Sequence, residues 1–151
     1  MLRVGAAWAL LAQVSDGGYF DGLIAFRVVD VTRVSRDLSF ATTFAQTQSQ
    51  WPPAVPFEID LDSTEGLLRG TGAGGRLIGL QKEKERDALW IGKFDAIARR
   101  FAYIHEVRPD ATWHPEPLGY KTKAITAVQF GTRYFDALSA IAGAGPATRA
   151  E

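Results

Sequence analysis

The chain alternates between short apolar stretches and groups of turn residues, a pattern typical of a mainly β protein. Strands are predicted from these stretches at 8–14, 23–34, 76–81, 89–98, 101–107 and, as two short pieces with a bend between them, at 119–130. The charged sequence KEKERD at 82–87 is typical of a hairpin turn. The expected fold class is therefore mainly β with short helices.

Two short helices are predicted, each after a group of strands. Asp37 is the expected N-cap of the first, in which Phe40 and Phe44 lie one turn apart. Thr132 opens the second helix, and Gly143 ends it. The apolar face of the second helix is expected to comprise Tyr134, Leu138 and Ile141.

A connector at 47–75 separates the two groups of strands. The sequence WPP at 51–53 disfavours a helix and favours an extended path, because proline lacks the backbone N–H and restricts the residue before it. Asp62 or Ser63 is expected to cap a short helix over 64–69, which ends in the glycine-rich run GTGAGG.

The two groups of strands are similar to each other, which indicates an internal repeat. Residues 8–20 match 101–113 in residue class at an offset of 93, and 26–44 match 120–138 at an offset of 94. A one-residue insertion in a turn accounts for the change of offset. A chance alignment of two apolar β segments is the alternative.

The first unit of this repeat is shorter than the second. Val4 aligns with Ile97, so the predicted hairpin at 76–94 has no counterpart before it. Because a sheet without its first strands exposes unpaired edges, we expect either a natural start upstream of Met1 or completion of the sheet by another chain. The expected segments are an incomplete first unit at 1–46, the connector at 47–75, a complete second unit at 76–143 and a flexible tail at 144–151.

The segments that carry the repeat resemble a known architecture. They are DGLIAFRVVDVTRV at 21–34, LIGLQKEKERDALWIGKF at 77–94, HEVRPDATW at 105–113 and ITAVQFGTRYFDAL at 125–138. Together they are similar to uncharacterised bacterial proteins built from two tandem Sm-like (LSm-type) units, each a small β-barrel. The resemblance implies that fold, with the first unit truncated at its N-terminus. The chain lacks the compact base-stacking and uridine-binding loop motifs of RNA-binding Sm proteins, so the resemblance implies no RNA-binding residues.

Composition narrows the class of protein. Apolar residues make up 46% of the chain and seventeen basic residues balance seventeen acidic ones, which argues against a disordered or a strongly basic protein. The absence of cysteine excludes disulfides, zinc knuckles, iron–sulfur clusters and thiol nucleophiles. The apolar run at 4–12 favours a buried strand over a short signal peptide, and no run approaches the ~18 residues of a membrane span. We expect a cytoplasmic protein.

No arrangement of residues points to catalysis, a metal or a cofactor. The GxGxxG pattern at 70–75 follows a predicted helix and precedes a strand, the reverse of the order that a dinucleotide site needs, so a flexible linker explains it better. His105, expected to be partly buried with a hydrogen-bonded ring, and His114 lack metal-ligand spacing. Asp60, Asp62 and Glu65 could act as acid–base groups, but their position at the start of the predicted helix explains these acidic residues better. We expect no enzyme.

Charge is unevenly distributed despite the zero net charge. Residues 51–75 carry four acids and one base, whereas 76–100 carry seven bases and four acids. If the hairpin is strand-like, its alternating basic residues share one face and its acids the other. With Trp90 and Trp113 nearby, the basic positions form a candidate polyanion surface. They are Lys82, Lys84, Arg86, Lys93, Arg99, Arg100, Lys121 and Lys123. A solvated hairpin of mixed charge is the alternative.

The expected function is that of a non-catalytic β module for protein–protein association or self-assembly, because exposed strand edges invite pairing with another chain. The expected partner is a second copy or another protein, bound through the strand edges. Weak binding of single-stranded RNA or another polyanion is the alternative function. No membrane partner is expected.

Overall fold

The computed structural model describes residues 1–55 and 57–149, including the backbone but not the side chain of Arg86. Its strands are β1 Arg3–Val4, β2 Trp8–Val14, β3 Phe20–Arg27, β4 Leu77–Lys82, β5 Glu85–Ala98, β6 Phe101–Glu106, β7 Leu118–Lys121 and β8 Ile125–Phe130. Its α-helices are α1 Phe40–Ala45, α2 Thr64–Gly72 and α3 Arg133–Ala142. Short 3-10 turns lie at Val28–Asp30, Ala73–Gly75 and Thr122–Ala124. No helix of the described residues is long and apolar enough to cross a membrane.

All eight strands belong to one open antiparallel sheet in the order β1-β2-β3-β8-β4-β5-β6-β7. The first and the second group of strands meet where β3 pairs with β8, from Leu23 opposite Phe130 to Phe26 opposite Ala127. The expected class, mainly β with short helices, is confirmed. The division into two Sm-like barrel units stays a prediction.

The central strand β4 is buried on both of its faces, as expected for a strand covered on two sides. Ile78 and Leu80 point into the main core, which also contains Trp8 and Phe94. Leu77 points to the opposite face, where it packs in a second, smaller core against α3. The alternation of side chains along one strand therefore divides the interior into two clusters.

Strand β5 is long and bends sharply, so that it pairs with β4 along its first part and with β6 along its second. A bulge between Phe94 and Ala96 shifts the register with β6 and produces the bend. Gly92 lies just before the bulge, where a Cβ atom would be 2.2 Å from the carbonyl oxygen of His105. Only glycine allows the two strands to approach this closely.

The 3-10 turn Thr122–Ala124 connects both ends of the bent strand. At one end, the Thr122 N–H donates to the Arg100 carbonyl in the β5–β6 turn at 2.9 Å. At the other end, the Glu83 N–H donates to the Ala124 carbonyl at 3.0 Å. Three segments that are distant in sequence therefore meet at one end of the sheet.

The ends of α3 and the burial of Leu138 are confirmed, but the predicted burial of Tyr134 and Ile141 is wrong. The Thr132 side chain accepts a hydrogen bond from the Phe135 N–H, and Gly143 ends the helix with a φ of 71°. Phe135 and Leu138 are buried against β4, whereas Tyr134 and Ile141 are 54% and 80% exposed. The helix is rotated so that Phe135 and Leu138, three residues apart, face the sheet. The spacing of apolar residues in the sequence does not determine this rotation.

Two expectations for the first half need correction. Strand β3 ends at Arg27 rather than continuing to residue 34, and 31–38 is exposed with neither helix nor strand. Ser39, not Asp37, caps α1 by accepting from the Thr42 N–H. Asp37 instead accepts hydrogen bonds from the Ser39 N–H and the Thr42 hydroxyl, because its position two residues earlier suits an Asx turn.

In the connector, Ser63 caps α2, and the helix continues to Gly72 rather than ending at residue 69. Gly72 packs directly on Phe94, where a Cβ atom would lie 2.4 Å from that of the phenylalanine. The GxGxxG pattern therefore lies in an ordered helix end instead of a flexible linker. The helix-before-strand order of this segment is as expected.

Candidate functional site

Three of the predicted polyanion-binding residues converge where the β5–β6 turn meets Thr122–Ala124. Arg100, Lys121 and Lys123 line a small cavity of 130 Å³ together with Phe101. All three cationic residues are exposed, while Phe101 is half-buried. Three cationic residues beside an aromatic residue are a combination that suits a nucleotide base and its phosphate. We call these four residues the basic cluster.

Main-chain contacts fix the geometry of the basic cluster. Phe101 pairs with Lys121 in the β6–β7 ladder, and the carbonyl of Arg100 accepts from the Thr122 N–H. The carbonyl of Lys123 accepts from the guanidinium of Arg27, which reaches over from β3. These bonds use backbone atoms of Arg100 and Lys123, so the side chains are not needed to hold the turn.

The other predicted cationic residues are placed differently. The Lys82 ammonium lies 3.8 Å from the Trp90 ring centroid and 3.1 Å from the Glu85 carboxylate. Lys93 donates to the carbonyl of Ala144 and lies 5.8 Å from the Trp113 ring centroid. Both side chains are engaged within the fold, each within cation–π range of one tryptophan ring.

The predicted alternation along the hairpin is wrong, because Glu83 and Lys84 form its turn rather than continuing a strand. Lys84 is exposed in that turn. Arg99 is exposed in the β5–β6 turn next to the basic cluster, with a φ of 56°. Arg86 lies in β5, but its side chain is outside the described part of the chain.

A second polar site lies on the bent part of β5 and is absent from the expectations above. The Asp95 side chain is only 2% exposed, and the C-terminal segment places Arg149 against it. Asp95 Oδ2 lies 2.7 Å from Arg149 Nε and 2.6 Å from Nη2, while Oδ1 accepts from the Arg149 N–H at 2.8 Å. Burial raises the pKa of Asp95, but the hydrogen bonds from Arg149 outweigh it and hold that pKa below its usual value.

His105 lies beside Asp95 in the neighbouring strand. It is buried, as expected, with Nε2 3.9 Å from Asp95 Oδ1, which is too long for a hydrogen bond. The expectation of a hydrogen-bonded ring is wrong for Nδ1, which is buried without a partner among the described residues. His114 is elsewhere, with its Nδ1 2.7 Å from the Glu116 carbonyl oxygen. The signal for this site in the sequence is a single acid, Asp95, within the apolar run of β5.

Open β edges form a third feature. Strand β7 ends the sheet, and no described strand pairs with its outer side. The segment 31–38 is exposed and carries three large apolar side chains, Val31, Val34 and Leu38. Unpaired edges and exposed apolar residues of this kind are typical sites of association with another chain.

The remaining acidic candidates have structural contacts. Asp60 accepts hydrogen bonds from the Asp62 N–H and the Ser63 hydroxyl, and Asp62 accepts from the Ala6 N–H. Glu65 pairs with Arg69 one turn later in α2. Within 1–55 and 57–149, no three His, Asp or Glu side chains are grouped as metal ligands.

Comparison with family models, with curated proteins and with solved structures finds no match for this chain. Its resemblance to tandem Sm-like proteins therefore stays a prediction. The open edges, the basic cluster and the Asp95 site are the features from which a function can be inferred.

Proposed function

We propose that this protein is a non-catalytic β module that associates head to tail with copies of itself. The outer side of β7 in one copy pairs with residues 31–36 of the next copy. A head-to-tail contact of this kind closes into a ring or extends into a filament. The Sm-like resemblance is consistent with this proposal, since both describe a small β unit with edges that pair.

The pairing of β3 with β8 inside the chain is the observation that carries the proposal. At the offset of 94, residues 23–26 of β3 correspond to 117–120 around β7, and residues 127–130 of β8 correspond to 33–36. The turn Val28–Asp30 likewise lies 94 residues before Thr122–Ala124. The contact between β3 and β8 therefore occurs once within the chain. The two segments that correspond to it, the outer side of β7 and residues 33–36, are not paired with any described strand.

The exposed valines of the first half support the same pairing. Val31 and Val34 correspond to Ile125 and Val128, which are both fully buried in β8. In the single chain, Val31 is 41% exposed and Val34 is 70% exposed. Pairing with a second copy would remove this apolar surface from water, which favours association.

Sedimentation velocity over a range of protein concentrations tests the proposal. The full chain is expected to sediment as a species larger than its 16.5 kDa monomer, and Val31→Lys with Val34→Lys is expected to sediment as the monomer. Val29→Lys is the matched control, because Val29 is 80% exposed and lies outside the pairing segment. A wild-type chain that is monomeric at about 100 μM, well above typical affinities of specific interfaces, would contradict the proposal.

The basic cluster supports a second function, weak binding of single-stranded RNA. The observation that supports it is that Arg100, Lys121 and Lys123 line one small cavity together with Phe101. Phosphate contacts from three cations give a marked salt dependence of the binding constant, and stacking on one ring gives little sequence preference. Nearby Asp30 and Glu83 both pair with Arg27, whose single positive charge offsets one of their two negative charges.

Fluorescence anisotropy with a labelled single-stranded RNA of mixed sequence tests this second function. Arg100→Glu with Lys123→Glu is expected to weaken binding at least tenfold at low salt and to flatten its salt dependence. The matched control is Lys84→Glu, which makes the same kind of charge change in a turn outside the cavity. Equal affinity of the double variant and the wild type would exclude RNA binding by the basic cluster.

A further inference from the structure

We propose that the cavity beside Asp95 belongs to a binding site for an arginine residue, that Arg149 of this chain pairs with Asp95 there, and that an arginine of another polypeptide can take the place of Arg149. With Arg149 as part of its wall, the cavity has a free volume of 420 Å³, and its other lining residues are Asp95, Tyr103, His105, Glu116, Pro117 and Ala147. The inference is independent of the proposed self-association, which uses the outer side of β7 and residues 31–36.

The contacts of Arg149 favour a guanidinium group attached to a peptide backbone. Nε donates to one carboxylate oxygen of Asp95, Nη2 forms an ion pair with the same oxygen at 2.6 Å, and the backbone N–H of Arg149 donates to the other oxygen. The guanidinium carbon lies 5.3 Å from the ring centroid of Tyr103, within range of a cation–π contact. A lysine ammonium lacks the planar guanidinium that places Nε and Nη2 against the same carboxylate oxygen, and free arginine lacks the peptide N–H.

Asp95 and His105 give this cavity the character of a built site. The Asp95 carboxylate lies at the bulge of β5 and is 2% exposed with Arg149 in place, and a carboxylate that is buried in this way needs a cationic partner. His105 is 6% exposed, and its buried Nδ1 has no partner among the described residues. Its other ring nitrogen, Nε2, lies 3.9 Å from Asp95 Oδ1, which is too far for a hydrogen bond. An unsatisfied buried acceptor or donor beside a buried acid is unusual where only the fold has to be stabilised.

The C-terminal segment is arranged so that Arg149 can leave. The segment is held near α3 by Lys93, which donates to the Ala144 carbonyl, and by the close contact of Gly145 with Trp113. Only residues 146–149 extend from this anchor to Asp95. The Arg149 side chain is 60% exposed, whereas Asp95 is 2% exposed, so the cation lies on the solvent side of the carboxylate.

Peptide binding to the full chain tests the proposal. The probe is the fluorescently labelled, C-terminally amidated peptide PATR, the sequence of residues 146–149. A tethered arginine competes at an effective concentration of about 1 mM for a short linker, so the wild type is expected to bind the probe weakly. Arg149→Ala is expected to bind it at least tenfold more tightly, and the NMR signals of the His105 ring are expected to shift on binding.

Two controls keep the test specific. Arg133→Ala removes an exposed arginine that does not line the cavity, and it is expected to bind the probe as weakly as the wild type does. On the Arg149→Ala protein, the peptide PATK is expected to bind at least tenfold more weakly than PATR, and Asp95→Asn is expected to abolish the binding of PATR. The proposal is overturned if Arg149→Ala binds PATR no better than the wild type, or if PATR and PATK bind it equally. The comparison of the two peptides needs no change to a buried residue, so a folding defect of the Asp95→Asn variant would not affect it.

Discussion

The guanidinium of Arg27 in β3 lies 2.8 Å, Nη2 to Oε1, from the carboxylate of Glu83 in the β4–β5 turn. The same side chain pairs with Asp30, Nε to Oδ2 2.6 Å, and donates to the carbonyl of Lys123. These two acids raise the pKa of Arg27 above its usual value, so it stays charged. One side chain therefore connects the first group of strands to two turns of the second.

We expect Arg27→Ala to lower the free energy of unfolding by about 1–2 kcal/mol, because it removes two charge-assisted contacts and one bond to a carbonyl at a largely buried side chain. Urea unfolding measures the change. Arg69→Ala is the matched control: its pair with Glu65 is half exposed at both ends, so the loss is expected to be about 0.5 kcal/mol or less. Equal losses for the two variants would show that Arg27 acts as an ordinary surface residue.

Gly72 packs directly against the buried side chain of Phe94. Its backbone is helical, so Gly72→Ala should improve helix propensity by about 1 kcal/mol if nothing else changes. A Cβ atom there would lie 2.4 Å from the Cβ of buried Phe94, so we expect a net destabilisation of about 1–3 kcal/mol from overpacking.

Thermal and urea unfolding of Gly72→Ala measure this balance of propensity and overpacking. Gly17→Ala is the control, since Gly17 is exposed and an added Cβ would make only ordinary contacts, the nearest at 3.5 Å. Its stability is expected to change by about 0.5 kcal/mol or less. A Gly72→Ala protein more stable than the wild type would mean that Phe94 can move aside.

Glu106 should make the fold more stable when it is neutral. Burial raises the pKa of its carboxyl, although the positive charges of His114, Lys82 and Arg108 lower it in part, and the Tyr120 hydroxyl donates to it. Because the folded state holds this proton more tightly than the unfolded state, the contribution of Glu106 to stability falls as the pH rises from the ordinary carboxyl range through the raised pKa.

We therefore expect Glu106→Gln to be more stable than the wild type at pH 7.5, by up to about 0.5 kcal/mol because the group is partly exposed. The glutamine carbonyl still accepts from Tyr120. The difference should disappear near pH 4, where the wild-type carboxyl gains its proton in both states. Urea unfolding at the two pH values measures this, with Glu58→Gln as a control for the same change in charge at an exposed position. A stability difference that is the same at both pH values would contradict the prediction.

Elements that depend on local pattern were predictable from the sequence, and contacts that depend on tertiary geometry were not. Strand β2 coincides with the predicted 8–14, and Thr132 and Gly143 bound α3 as expected, because strand propensity and capping act within a few residues. The Asp95–Arg149 contact joins residues 54 apart and depends on a bulge that no local signal indicates. Arg100 and Lys123 likewise lie close together only because the turn Thr122–Ala124 contacts the β5–β6 turn.

The buried face of α3 gives the most direct comparison of sequence pattern with structure. Leu138 is 7% exposed in the small core beneath the helix, whereas Ile141, one turn later and equally apolar, is 80% exposed. We expect Leu138→Ala to destabilise the chain by about 2–4 kcal/mol through lost burial and a residual cavity, and Ile141→Ala to change stability by about 0.5 kcal/mol or less. Urea unfolding of the two variants measures the difference, and each serves as the other's control for helix propensity, since both introduce the same residue. Comparable losses would mean that Ile141 is covered in solution, and since Ile141 is exposed in the single chain, the covering surface would have to come from a second chain.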